Sequence, residues 1–105
     1  MRFMMIVKGA MPRMTQYNEE LARAGVLLDL ASLQPSANGM RIWFSGGKKT
    51  VVDGPFPETR ELIAGYWLIQ VKSREEALEW ARRIPEPHGE GEVEVRQLVD
   101  LESSP

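Results

Sequence analysis

The 105-residue chain predicts an α+β fold of the ferredoxin-like kind, a split β-α-β sheet with a hairpin inserted between its halves. Three observations carry that expectation. Strand-like and helix-like segments follow in the order β-α-β, hairpin, β-α-β. Two of the strands are apolar on both faces, as strands in the middle of a covered sheet are. Two helices can cover only one face of such a sheet, so the other needs a separate cover.

Each element has a local reason. In residues 3–8, Phe3, Met5 and Val7 alternate with Met4 and Ile6, giving a two-sided central strand. Pro12 falls near a helix start, and Met14, Tyr17, Leu21 and Ala24 recur at helical spacing. Gly25 follows, at the position where a helix ends in positive φ. In the next strand Val26, Leu28 and Leu30 alternate with Leu27, Asp29 and Ala31. The β-rich runs 40–44 and 49–52 flank Ser45-Gly46-Gly47-Lys48, a tight-hairpin signal. Ile63, Gly65, Trp67, Ile69 and Val71 then alternate with Ala64, Tyr66, Leu68 and Gln70, the second central strand. Ser73 and Glu76 form an S-x-x-E capping box for a helix over 73–84. Its buried stripe is Ala77, Trp80, Ala81 and Ile84, Arg82-Arg83 suit its C-terminal dipole, and Pro85 stops it. Strict alternation over 92–96 marks an edge strand, and 101–105 read as a frayed tail.

Numbering the four main strands along the chain, the order 4-1-3-2 puts both two-sided strands in the centre. The face without helices is then covered most economically by a second copy, sheet against sheet. Phe3, Met5, Leu28, Trp67 and Ile69 are the large apolar side chains that argue for a homodimer, with the parity that faces the partner left open.

Apolar residues at 43% and charged residues at 27% fit one globular domain spanning 1–105. The net charge is −2, and the pairs Lys48-Lys49 and Arg82-Arg83 read as solvated surface, so no nucleic-acid partner is expected. With no cysteine and one histidine, disulfides, thiolate sites, a cysteine nucleophile and an intrachain zinc centre are excluded. The N-terminal apolar run covers only residues 3–7, too short for a signal sequence, and no stretch approaches the roughly 20 residues of a membrane span. The expectation is a soluble cytoplasmic protein with no membrane partner. No nucleophile elbow, phosphate-cradling loop or dinucleotide fingerprint is present, and no cofactor or metal is expected.

Leu33-Gln34-Pro35, the Gly-Gly hairpin, Val52-Asp53-Gly54-Pro55-Phe56, Glu58-Thr59, Glu61, Gly65-Tyr66-Trp67 and Val93-Glu94-Val95-Arg96 resemble the YCII-related family nearly end to end. More narrowly they resemble its DGPF-domain branch. The resemblance implies ferredoxin-like protomers paired into a dimeric α/β barrel, in a bacterial cytoplasmic protein often encoded beside an extracytoplasmic-function sigma factor. It implies a mostly unassigned biochemical role, with a few relatives acting on small, often aromatic or lactone-like molecules without a cofactor. Two departures stand out. The segment 9–14 is shorter than in such relatives, and Ala31 stands where they tend to carry a glutamate, leaving Asp29 as the acid on that strand.

The expected topology sends the loop after the first strand, the connection 34–62 and the loop 85–91 to one end. Asp53 and His88 are the candidates for acid/base chemistry there, and Glu58, Arg60 and Tyr66 for contact with a small-molecule ligand. Each has a plainer reading. Asp-Gly-Pro is turn chemistry, with the carboxylate bonding backbone two residues on and glycine supplying positive φ. His88 fits an exposed loop, Asp29 a strand edge or dimer contact, Tyr66 and Trp67 core or interface, and Lys8 a snorkelling surface residue. Asp53 is expected to anchor its turn first, so that Asp53→Ala loses about 1–2 kcal/mol and Asp53→Asn stays close to wild type. Two functional readings follow: a cofactor-independent acid/base enzyme, or a non-catalytic dimeric module that binds a ligand or a partner linked to sigma-factor signalling.

Overall fold

The computed structural model describes residues 1–10, 14–58, 61–85 and 91–100. Along the chain run β1 (Arg2–Lys8), α1 (Thr15–Arg23), β2 (Leu27–Ser32), a 3-10 turn at Ser36–Asn38, β3 (Met40–Ser45) and β4 (Lys48–Asp53). Then come β5 (Ile63–Gln70), α2 (Arg74–Arg82) and β6 (Glu92–Gln97). β2, β5, β1 and β6 lie side by side in that order, with every neighbouring pair antiparallel. This is the expected 4-1-3-2 order in an α+β protein, compatible with the ferredoxin-like arrangement. Pro12, Arg60, His88 and the tail 101–105 lie outside the described residues.

The helices bury one parity of the central strands. Phe3, Met5 and Val7 of β1 and Trp67 and Ile69 of β5 pack against Met14, Tyr17, Leu21 and Ala77. Tyr17 and Leu21 sit one turn apart on α1, which is why both point inward. The Tyr17 hydroxyl donates to the Trp80 carbonyl at 2.6 Å, tying α1 to the end of α2, and Trp67 Nε1 donates to Asn18 Oδ1 at 2.7 Å. The Tyr17 ring meets Trp67 edge-on, with centroids 5.1 Å apart at 77°. Burial pushes the Tyr17 phenol well above its ordinary range. Its hydrogen bond therefore holds a neutral donor, as a buried aromatic hydroxyl requires.

This shows which parity the helices cover and corrects the residues expected on the helix-free face. Phe3, Met5, Trp67 and Ile69 are buried beneath the helices of the chain itself. The helix-free face carries the other parity, where Met4 lies opposite Leu68 and Ile6 and Ala31 each lie opposite Tyr66. Leu28 belongs to neither set. The register of β2 shifts between Leu27 and Asp29, so Leu27 and Leu30 both pack on the core while Leu28 is left exposed. A bulge of this kind adds one residue to a strand, which breaks strict alternation.

α2 begins as expected, with Ser73 Oγ accepting from Glu76 N at 3.1 Å. The return bond is displaced by one residue, since Glu76 Oε2 accepts from Lys72 N at 2.9 Å.

β3 and β4 form a sheet of their own. Gly46 and Gly47, with φ of 56° and 80°, make a two-residue turn that side-chain-bearing residues would strain. The hairpin stands away from the main sheet and widens the molecule to 45 × 44 × 18 Å. The radius of gyration is 16.0 Å, against about 13 Å for a compact domain of this length.

Candidate functional site

The Asp-Gly-Pro-Phe block forms the root of that hairpin. Gly54 N donates to the Gly39 carbonyl at 2.9 Å, closing the base of the two strands. Phe56 N donates to Ser36 Oγ at 3.1 Å. The Gly54–Pro55 peptide is cis. A Cβ on Gly54 would overlap the backbone carbonyl of Ser36. Gly54 does not have a positive φ, so glycine is needed there for close backbone approach and not for the left-handed turn that its sequence suggests. Across the root, the Arg41 guanidinium lies 3.8 Å from the Phe56 ring centroid and pairs with Glu58 at 3.2 Å. Glu58 is thus committed to the frame.

Asp53 ends β4, opposite Met40. Its side chain is exposed and makes no hydrogen bond or ion pair among the described residues. Ser36, not the Asp53 carboxylate, anchors the turn. The block alone gave no sign of this, because Ser36 lies 20 residues upstream of its partner Phe56.

Tyr66 lies on the helix-free face, where its hydroxyl donates to Asp29 Oδ2 at 3.1 Å. Asp29 Oδ1 accepts from Leu30 N at 2.8 Å. The hydrogen bond to the Asp29 carboxylate pushes the Tyr66 phenol above its ordinary value, because ionising it would set two anions side by side. On the same face Lys8 pairs with Glu94 at 2.9 Å and Arg96 with Glu94 at 3.1 Å. These bonds raise the Lys8 pKa and lower that of Glu94. Neither Asp29–Tyr66 nor Lys8–Glu94 could be paired from sequence, since each joins strands by register.

Where β1 and β2 end and β5 begins, Gly9, Leu33, Gln34, Pro35, Leu62 and Ala64 help line an open recess of about 400 Å³. Backbone bonds frame it, Gly9 N to the Leu62 carbonyl at 2.9 Å and Leu33 N to the Ala64 carbonyl at 2.7 Å. The structure therefore joins Glu58 to Arg41 and Tyr66 to Asp29, and no bond links Asp53 to either pair. Among the described residues no group of three histidine, cysteine or acidic side chains is placed to hold a metal. No helix of the described residues is long and apolar enough to cross a membrane.

The profile of the YCII-related domain matches residues 2–102. An uncharacterized protein of Rhizobium meliloti (strain 1021) is 39% identical over 77 residues, covering 72% of this chain and 62% of that protein. The chain thus spans less than two thirds of that relative's length. With a match that runs from the first strand past the last, the chain belongs to the YCII-related family.

Proposed function

We propose that the chain is a homodimeric, cofactor-free binder of small molecules, of the DGPF-domain branch, acting in the cytoplasm. Two ferredoxin-like protomers pair by their helix-free faces into an α/β barrel, and the recess at Leu33 and Ala64 becomes a pocket at its end. The observation that carries this reading is the helix-free face itself. Its centre is apolar, from Met4, Ile6, Ala31 and Leu68. Its polar groups are matched within the protomer, Tyr66 with Asp29 and Glu94 with Lys8 and Arg96. A face of that composition can be taken out of water at small polar cost. The recess, at about 400 Å³, falls within the usual range for small-ligand sites.

An acid/base enzyme acting through Asp53 and His88, with Arg60 as a ligand contact, is the second reading. The exposed and disengaged Asp53 carboxylate favours it. Sedimentation across the micromolar range tests the pairing: a dimer is expected, and Leu68→Lys on the helix-free face should give a folded monomer. A well-folded wild-type monomer would remove the reading. Binding of the dye 8-anilinonaphthalene-1-sulfonate, reduced by Leu33→Glu in a still-dimeric variant, would locate the pocket. Unchanged dye binding in that variant would place the pocket elsewhere.

A further inference from the structure

We infer that the β3–β4 hairpin is a preformed arm that packs on a second copy of this chain, and that the Asp-Gly-Pro-Phe block exists to fix its direction. The inference rests on the pairing proposed above and adds a second contact to it.

The arm carries apolar surface that nothing in its own protomer covers. Phe44 is 71% exposed, Met40 64%, Trp43 60%, Val51 59% and Ile42 50%. A lone two-stranded hairpin is at best marginally stable in water. This one neither joins the four-stranded sheet nor hangs from a loose linker. Gly54 N on Gly39, Phe56 N on Ser36, and Arg41 between Phe56 and Glu58 pin its base. A projection fixed that firmly is built to meet something.

Area and charge say what it meets. Four strands about 4.8 Å apart and about seven residues long present a face of roughly 440 Å² in projection. Pleating raises the accessible area, yet the face starts well below the roughly 800 Å² per partner of a standard interface. At roughly 150–250 Å² for each aromatic residue, the exposed parts of Trp43 and Phe44 add about 250 Å². The arm therefore brings the contact nearer to the size of a standard interface. The arm also carries Lys48 and Lys49 at its tip, and with Arg41 paired to Glu58 at the root the segment 40–58 is net +1 in a chain of net −2. The rest of each protomer is therefore −3, so a cationic arm meets an acidic body when it crosses to the other copy. Two-fold symmetry makes the exchange reciprocal, each arm on the other protomer.

Hydrogen exchange of the full chain, at concentrations above and below dimer dissociation, tests this directly. Amides of 40–53 should be protected in the dimer and lose protection on dilution in step with the dimer fraction. Trp43→Ser with Phe44→Ser should raise the dimer Kd by about tenfold or more, while the circular-dichroism melt of the Leu68→Lys monomer is unchanged by the same arm substitutions. A wild-type dimer whose 40–53 amides exchange freely, with Kd unmoved by the arm variant, overturns the arm alone and leaves it to a different protein. A monomeric wild type overturns the pairing and the arm together.

Discussion

Trp67 and Trp43 are the same side chain, each in a six-to-eight-residue antiparallel strand, in opposite states. Trp67 is wholly buried, its ring against Tyr17 and its indole N–H on Asn18. Trp43 is 60% exposed. Their adjacent residues do not separate them, since Trp43 stands between Ile42 and Phe44 and Trp67 between Tyr66 and Leu68. The difference is what lies above each strand. β5 sits under two helices joined through Tyr17 and Trp80, whereas β3 is held out by its root. Apolarity therefore measures how much cover a strand needs, and topology decides whether the protomer supplies it.

The comparison is broken most severely by truncating both rings. Trp67→Ala should cost about 3–5 kcal/mol, from lost burial plus a cavity, a large part of the about 5–15 kcal/mol that such domains have. In a monomeric Leu68→Lys background, Trp43→Ala should stay within about 0.5 kcal/mol. Urea unfolding reads both values. Equal losses would mean that the hairpin packs on its own protomer and that the contrast is false.

The fold was legible because its signals are local and repeated. The alternation in β1 and β5, the Ser73 cap and the Gly46-Gly47 turn each act within a few residues, and their order led to the strand order. The parity of the buried face was not legible, because Met4, Ile6 and Leu68 are about as apolar as Met5, Trp67 and Ile69. The β2 bulge was invisible for the same reason: Leu27, Leu28 and Leu30 leave the register undecided. At the root of the hairpin, the sequence marked a constrained segment but not what constrains it. Asp53-Gly54-Pro55-Phe56 reads as a self-contained turn, but its partners Ser36, Gly39 and Arg41 lie across the hairpin and enter only with the fold.

The root is the next place to probe the contrast, since it is what keeps the arm apart. Gly54→Ala forces a Cβ into the Ser36 carbonyl. Overpacking of this kind costs about 1–3 kcal/mol, and it should appear in the exchange of amides 40–56 while those of β1 and β5 hold. A Gly54→Ala chain with unaltered exchange in that segment would show that the close approach is not a constraint.

Within the root, two polar side chains separate by their contacts. Ser36→Ala removes the acceptor of the Phe56 N–H and should cost about 0.5–1.5 kcal/mol. Asp53→Ala removes a side chain with no such contact and should stay within about 0.5 kcal/mol, less than its turn-like sequence suggests. Local exchange at Phe56 and thermal melts of both variants measure this. A larger loss for Asp53→Ala than for Ser36→Ala would return the anchoring role to the carboxylate.

The smallest effect separates the two faces of the main sheet by pH. On the covered face the link from Trp67 to Asn18 does not titrate. On the open face Glu94 is held below the ordinary carboxylate range, chiefly by its bond from Lys8 and then by Arg96. The depressed folded value fixes the sign. The contribution is present above the ordinary glutamate pKa of about 4.3 and is lost as pH falls through the lower folded value. Lys8, raised chiefly by Glu94, contributes below the ordinary lysine pKa of about 10.4 and loses that as pH rises through its higher folded value. In the monomeric background Glu94→Gln should change little at neutral pH, because exposed pairs contribute little and are screened. Its melting temperature should fall less than the wild-type value between about pH 5 and pH 3, while Asn18→Ala should run parallel to wild type throughout. Parallel curves for Glu94→Gln would mean that the ion pair does not act on stability. In the wild-type chain, a separation that grows with protein concentration would support the proposed pairing, with the ion pair where two facing sheets exclude water.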